Sequence, residues 1–161
     1  MNAYMTNGTV DFLKKIEEKY PSIRFHFMSG SVNDVAYYEG NKKLFVAGRE
    51  YEIIIQTGEI RDKGYIVMNH IPVTDEGRPV FEDNFKKRKH VAEHYDGFQA
   101  FRLLKPRKGN TYVVLTQWQS KVSYEKWKNS TDFKKSHVNI KPPAYFADRP
   151  FVHTYNMIEK D

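Results

Sequence analysis

The chain has 161 residues, of which 40% are hydrophobic and 29% are charged, and its formal net charge is +6. These values describe a globular chain that is long enough to bury a core, and they exclude an intrinsically disordered protein. The sequence contains no cysteine, no apolar run of membrane-spanning length and no N-terminal signal pattern, so we expect a cytoplasmic protein without disulfides, thiolate metal sites or membrane contact.

The first 60 residues contain short predicted elements of mixed type. A helix is predicted over residues 9–20, and Pro21 ends it. Strands are predicted over residues 23–30, 34–40, 44–48 and 51–58. We expect residues 1–60 to form an N-terminal α/β extension that packs on the sheet of the remaining chain.

Residues 61–161 show a regular alternation of elements. Strands are predicted over residues 64–73, 98–106, 111–118 and 151–158, and helices from Pro79 to about Tyr95 and from Ser120 through Lys128. The order β-α-β-β-α-β predicts a ferredoxin-like α+β domain of the dimeric α+β barrel type, with both helices on one face of an antiparallel sheet. A second copy or residues 1–60 must cover the other face, and we favour a self-covered monomer over a homodimer.

The stretch WKNSTDFKKSH, residues 127–137, separates a tryptophan and a histidine by ten positions. In an unbroken helix ten residues turn through about 1000°, so Trp127 and His137 would not share a face. The polar run 129–132 interrupts the predicted helix, and a kink there lets both side chains point into one cleft. Neutral imidazole is a common ligand of metals and haem iron, but the helix dipole also favours a histidine at a helix end without any ligand.

Asn69 lies in the predicted strand VMNHIPV. Strand alternation places it on the same face as Val67 and Ile71, while Met68 and His70 point to the other face. An asparagine on an apolar face needs a hydrogen-bond partner or a cavity in front of it. The sequence alone leaves both interpretations open, a satisfied core amide or an amide that faces a ligand.

Basic residues concentrate in KKRKH, residues 86–90, and in KPRK, residues 105–108. The simplest interpretation is solvated helix and turn surface, and an anionic partner is the alternative. We do not expect nucleic acid as that partner, because the sequence lacks the exposed aromatic motif of an RNA-binding sheet.

Several segments together resemble the antibiotic biosynthesis monooxygenase superfamily. Within it the chain is similar to the IsdG-type haem-degrading monooxygenases, in particular the longer HmoB-like branch, which also includes TRAP signalling proteins. The resemblance rests on GEIRDKGYIVMNHIPVTDEGRPVFEDNFKKR, DGFQAFRLLKP, TYVVLTQW and SYEKWKNSTDFKKSH, with TNGTVDFLKKI near the N-terminus. It thus covers nearly the whole chain.

The resemblance implies a catalytic triad of asparagine, tryptophan and histidine, and Asn69, Trp127 and His137 match its members. It implies that His137 is the axial ligand of haem iron. Asn69 would lie on the distal side, where its amide can hydrogen-bond dioxygen. Trp127 would pack against the porphyrin and help to distort it from planarity.

The resemblance also implies further contacts to haem. Phe85 would line the pocket, although a core phenylalanine is the simpler explanation. Arg88, one turn later, is a candidate partner for a haem propionate, and a solvated arginine is the alternative. Asn84 stands where several relatives carry arginine, which is a departure from the family pattern.

Haem is therefore expected as both substrate and cofactor, with dioxygen and an external electron donor, either a reductase or a small molecule. The expected reaction opens the porphyrin ring and releases iron. Two alternatives remain from the sequence: a non-enzymatic TRAP-like signalling or regulatory protein, and a cofactor-free oxygenase of a polyphenol. The sequence specifies neither the ring-opened product nor the reductant.

Overall fold

The computed structural model describes residues 1–88, 93–130 and 144–160. The strands are β1 (Asn2–Gly8), β2 (His26–Gly30), β3 (Asp34–Gly40), β4 (Arg49–Gly58), β5 (Tyr65–Pro72), β6 (Phe98–Pro106), β7 (Thr111–Trp118) and β8 (Phe151–Met157). The helices are α1 (Val10–Lys19), α2 (Arg78–Arg88) and α3 (Lys121–Lys128). None of the helices in these ranges combines the length and the apolar composition needed to cross a membrane.

The strands close into an antiparallel barrel in the order β1-β3-β2-β8-β5-β7-β6-β4. Strands β5 to β8 with α2 and α3 form the predicted βαββαβ arrangement, in the spatial order β8-β5-β7-β6. Strands β1 to β4 repeat this spatial order as β4-β1-β3-β2. The ferredoxin-like α+β fold is confirmed, and the N-terminal residues cover its sheet by completing the barrel. The division at residue 60 into an extension and a domain stays a prediction.

Three predictions of local structure are wrong. The sequence MNAYMTNG was not predicted as a strand, but β1 pairs with both β3 and β4, and this double pairing outweighs its weak strand pattern. Residues 44–48 were predicted as a strand, but they form a loop whose apolar Phe45 is buried by packing. The helix predicted to reach about Tyr95 stops before that residue, because residues 93–97 form turns, and α2 is described as far as Arg88.

Apolar side chains fill the barrel and cover the outer face of each sheet. The barrel interior contains Met5, Met28, Tyr37, Ile66, Met68, Leu104, Leu115 and Tyr155, among others. The N-terminal cluster, on the outer face beside α1, consists of Tyr4, Leu13, Phe25, Phe27, Ala36, Tyr38 and Phe45. The α2 cluster consists of Ile55, Ile71, Val73, Phe81, Leu103 and Tyr112, with Phe85, Phe101 and Val114 packed against it. The α3 cluster consists of Tyr65, Val67 and Trp118, with Tyr95, Phe98, Tyr124 and Trp127 packed against it.

Candidate functional site

Asn69 lies on β5 at the boundary between the α2 cluster and the α3 cluster. Val67, two residues earlier on the same face, belongs to the α3 cluster, and Ile71, two residues later, belongs to the α2 cluster. Across the sheet Asn69 is paired with Val114 of β7 and Val152 of β8. A single carboxamide is therefore set among apolar neighbours in the middle of the outer face.

The side-chain oxygen of Asn69 is buried and has no hydrogen-bond partner among the described residues. A buried acceptor left without a partner costs about 1–3 kcal/mol of stability. A satisfied core amide would carry no such cost. Within the described part of the chain, the geometry therefore favours the second interpretation of Asn69, an amide that faces a ligand or solvent.

Trp127 lies on α3 and covers the other end of this face. Its ring stacks on Trp118, with centroids 5.4 Å apart and planes at 29°, and it lies 6.2 Å from the ring of Tyr124. The cluster that it joins contains Val67, the neighbour of Asn69 on the same face. Trp127 and Asn69 thus border the same apolar surface from opposite sides.

The local sequence fixes the ends of α3. Ser120 caps the helix, because its side-chain oxygen accepts a hydrogen bond from the Ser123 backbone N–H at 3.2 Å. The helix ends at its C-cap, Asn129, where the sequence predicted a break. His137 lies outside the described residues, so its position relative to Trp127 stays a prediction.

The α2 side of the site is aromatic. Phe85 is half-buried and lies 5.0 Å from Phe81 and 6.5 Å from Phe101, measured between ring centroids. Asn84 donates a hydrogen bond to the Tyr145 hydroxyl at 3.1 Å, which ties α2 to the segment before β8. The departure from the family pattern at Asn84 therefore has a structural role. Arg88 is the last residue of α2, and its side chain lies outside the described part of the structure.

The described histidines lie away from Asn69. His26, in the N-terminal half, contacts the Asp62 carboxylate at 2.7 Å. His70 points to the other face of β5, where its ring lies 5.0 Å from that of His153, and burial is the main cause that lowers its pKa to about 4. His94 is exposed to solvent. No group of three metal-ligating side chains occurs in residues 1–88, 93–130 and 144–160.

Two aromatic residues of the site were missed from the sequence. Phe101 lies on the α2 side and Trp118 supports Trp127. Period-two alternation in the predicted strands 98–106 and 111–118 could have identified both, because Trp118 shares a face with Val114 and Phe101 shares a face with Leu103. Their placement gives the site an aromatic wall on each side of one amide.

This arrangement suits a flat ligand that is mostly apolar. Aromatic side chains offer large apolar surfaces for contact with a ligand. A single polar group among them can fix the orientation of that ligand. A tetrapyrrole has this shape and polarity. The described residues therefore fit haem on their walls and at Asn69, while the predicted iron ligand is outside the described ranges.

The chain is similar to known proteins of two kinds, a monooxygenase and a signalling protein. The model of the family described as "Antibiotic biosynthesis monooxygenase" matches residues 64–139. The chain is 26% identical over 138 residues to the heme-degrading monooxygenase of Listeria monocytogenes, which covers 85% of this chain and 82% of that protein. It is also 26% identical over 151 residues to the signal transduction protein TRAP of Staphylococcus epidermidis, which covers 91% of this chain and 89% of that protein.

Two solved structures share the fold along nearly the whole chain. One is described as a major regulator of staphylococcal pathogenesis, with a TM-score of 0.89, 24% identity, and coverage of 97% of this chain and 98% of that one. The other is the heme-degrading enzyme LmHde of Listeria monocytogenes, with a TM-score of 0.77, 21% identity, and coverage of 97% and 99%. At these identities the two structures establish the fold and not the activity.

Proposed function

We propose that this chain, which carries an antibiotic biosynthesis monooxygenase domain over residues 64–139, is a haem-degrading monooxygenase. The observation that carries the proposal is the buried amide oxygen of Asn69, which has no hydrogen-bond partner in the described ranges and lies between two aromatic clusters on the outer sheet face. The similarity to the Listeria heme-degrading monooxygenase supports it. Haem would be the substrate, and an external reductant and dioxygen would be the co-reactants.

Each of the proposed residues has a distinct task in this cleft. When bound, haem supplies the iron and the conjugated ring on which the oxidation takes place. Asn69 offers a carboxamide on an apolar surface, and we assign it the orientation of dioxygen through a hydrogen bond. Trp127 and Phe85 present ring surfaces on opposite sides and hold the plane of the ligand. His137 would hold the haem iron and Arg88 would contact a propionate.

The assignment of His137 gains support from the other histidines. The chain has six, and His26, His70, His94 and His153 are the four that the structure describes. His26 is engaged with Asp62, and the rings of His70 and His153 pack together on the opposite side of β5. No hydrogen bond between Asn69 and any of these four histidines is seen in the described residues, which supports a histidine outside them, His137, as the iron ligand.

A regulatory protein is the second candidate function. Its support is the 26% identity to the TRAP protein over 91% of this chain, which is as high as the identity to the heme-degrading monooxygenase. A regulatory role requires neither bound haem nor an asparagine side chain that lacks a hydrogen-bond partner. A polyphenol oxygenase without a cofactor would use the same cleft but would leave His137 without a role.

Titration with haemin separates these candidates. We expect saturable one-to-one binding to the full chain with a shifted Soret band, followed by loss of that band when a reductant is added in air. His137→Ala should weaken binding at least tenfold or change the spectrum, while the matched control His153→Ala, on the other face, should behave as the unmodified chain. Absence of a Soret shift at any haemin concentration would exclude haem as the substrate.

Turnover tests Asn69 independently of binding. Asn69→Ala should retain haemin within about threefold of the normal affinity but slow bleaching of the Soret band by about 100- to 1000-fold, the range expected for a lost positioned polar group. Asn156→Ala, an exposed asparagine of β8, is the matched control. Tight binding without bleaching in the unmodified chain would favour a haem-responsive regulatory protein over an enzyme.

A further inference from the structure

A second cavity of about 330 Å³ opens on the N-terminal half of the barrel. Its walls come from β4, from residues 43–48 before it, and from the turn that joins β6 to β7. It shares no residue with the surface around Asn69. Its volume is at the lower end of the range for pockets that bind small molecules. We call it the basic pocket, because four of its five charged lining residues are cationic.

The charge of the basic pocket is unbalanced. Its charged lining residues are Lys43, Arg49, Glu50, Arg107 and Lys108. None of the four cations forms an ion pair with a carboxylate in the described part of the chain, although nine other pairs within 4.0 Å are seen there. Lys43, Arg107 and Lys108 thus stand against one carboxylate, Glu50, while Arg49 shares a strand face with Tyr51 of the barrel interior.

Neutral amides hold both guanidinium groups in place. Arg49 donates to the side-chain oxygen of Asn7 at 3.1 Å, and Arg107 donates to that of Asn2 at 3.3 Å. These bonds orient the arginines without cancelling their charge. Because guanidinium has five donors, each arginine keeps several N–H groups for another acceptor.

The backbone around the pocket is fixed at several points. The Tyr38 hydroxyl donates to the Lys42 carbonyl at 2.7 Å and accepts from the Leu44 N–H at 2.8 Å, so both neighbours of Lys43 are held by one buried side chain. Thr6 donates to the Ala47 carbonyl at 2.7 Å and holds the other end of this loop. The loop carrying the first cation is therefore ordered before any ligand arrives.

Two more contacts fix the remaining walls. The Arg107 N–H donates to the Glu50 carbonyl at 3.0 Å, which joins the β6–β7 turn to β4. Gly48 lies so close to the barrel that an added Cβ would come within 2.6 Å of the Met5 carbonyl oxygen. A side chain at position 48 would push the loop away from β1 and widen the pocket. A bound anion lowers the repulsion among like charges that line one pocket.

We propose that the basic pocket binds a small polyanion, a molecule with at least two adjacent phosphate or carboxylate groups. The separate placement of the cations on two walls matches a ligand with more than one negative group better than a single anion. Guanidinium forks bind both phosphate and carboxylate oxygens in pairs. The site is independent of the proposed haem cleft, so either assignment can fail without the other.

Calorimetric titration of the full chain tests this proposal, with tripolyphosphate and citrate as probes and acetate as the single-charge comparison. The pocket variant is Arg107→Gln with Lys108→Gln, and Lys43→Gln is a second variant on the opposite wall. The control is Lys14→Gln with Lys15→Gln, which removes the same charge from exposed positions of α1. We expect the double pocket variant to lower the affinity for at least one of the two polyanions at least tenfold. The control should change that affinity less than twofold.

The outcomes separate a built site from general attraction to a basic protein. Tighter binding of tripolyphosphate assigns a phosphorylated ligand, and tighter binding of citrate assigns a polycarboxylate. Lys43→Gln should weaken the same probe at least threefold, which shows that both walls contribute. The proposal is overturned if neither probe binds more tightly than acetate, or if the α1 control weakens binding as much as the pocket variant.

Discussion

The two halves of the barrel share one strand order but use their outer faces differently. In the N-terminal half the face is closed by aromatic packing: Tyr38 stacks on Tyr4 at 4.7 Å and meets Phe25 and Phe45 edge-on at 5.3 and 5.1 Å. In the C-terminal half the apolar residues divide into two clusters, with the amide of Asn69 between them. The same fold thus builds a filled core on one side and an interrupted surface on the other.

The difference follows from what covers each sheet. The N-terminal half has α1 but lacks a second helix, and the loop before β4 takes its place. Leu44 and Phe45 of that loop insert into the N-terminal cluster, where the Tyr38 hydroxyl holds the loop backbone. In the C-terminal half α2 and α3 each pack on their own cluster. The loop that replaces the second helix therefore closes the outer face of the N-terminal half.

The largest expected contrast is between two phenylalanine truncations. Phe25→Ala should lower the free energy of unfolding by about 3–5 kcal/mol, because Phe25 is fully buried among rigid rings that cannot collapse into the cavity. Phe85→Ala should cost only about 1–2 kcal/mol, because Phe85 is half-buried beside the proposed cleft. Urea denaturation monitored by circular dichroism measures both, and equal losses would contradict the contrast between the two faces.

A second contrast concerns the inward-facing histidines. Burial, and to a smaller extent the neighbouring His153 and Arg49, lowers the pKa of His70 from 6.5 to about 4, so protonation disfavours the folded state. The contribution of neutral His70 to the free energy of unfolding is fully present above pH 6.5. It is lost as the pH falls towards 4, because the unfolded chain takes up the proton first. The loss from this residue is at most about 3 kcal/mol.

Variants isolate that loss from general acid denaturation. His70→Gln should flatten the fall in unfolding free energy between pH 6.5 and 4, whereas the exposed His94→Gln should leave the curve unchanged. Burial also lowers the pKa of His26, but its 2.7 Å contact with Asp62 opposes that shift. His26→Gln should therefore change the slope less than His70→Gln, and the reverse order would contradict the difference between the two halves.

Asn69 provides a direct test of the interrupted surface. Asn69→Leu should raise the unfolding free energy by about 1–2 kcal/mol, because it replaces an unpartnered buried amide with an apolar side chain of similar volume. The same variant should lose haem turnover, so stability and activity would move in opposite directions. A loss of stability on this substitution would mean that the amide has a partner in the native chain.

The regular half of the fold could be predicted from sequence, and the other half could not. Strands 98–106 and 111–118 were predicted with the bounds they have, because alternation and the turn between them are local signals. Strand β1 has no such signal and exists because β3 and β4 pair with it from both sides. Closure of the barrel is a tertiary effect that a local pattern does not contain.

Some features of the candidate site could also be predicted from the sequence, and others could not. Alternation correctly assigned Asn69 to the face of Val67 and Ile71, and the polar run after Lys128 correctly predicted the end of α3. The sequence could not show that the amide oxygen lacks a partner, because this depends on strands far apart in the chain. The haem assignment of His137 came from family resemblance and stays a prediction.

The smallest expected contrast compares matched caps on helices of the two halves. Thr9 caps α1 by accepting from the Phe12 N–H at 3.3 Å, and Ser120 caps α3 in the same way at 3.2 Å. Either substitution by alanine should cost about 1 kcal/mol of unfolding free energy. Both tryptophans of the chain, Trp118 and Trp127, belong to the α3 cluster, so native fluorescence reports on that half alone. Ser120→Ala should change the emission spectrum and Thr9→Ala should not; a shift in both would mean that the two outer faces are coupled through the barrel.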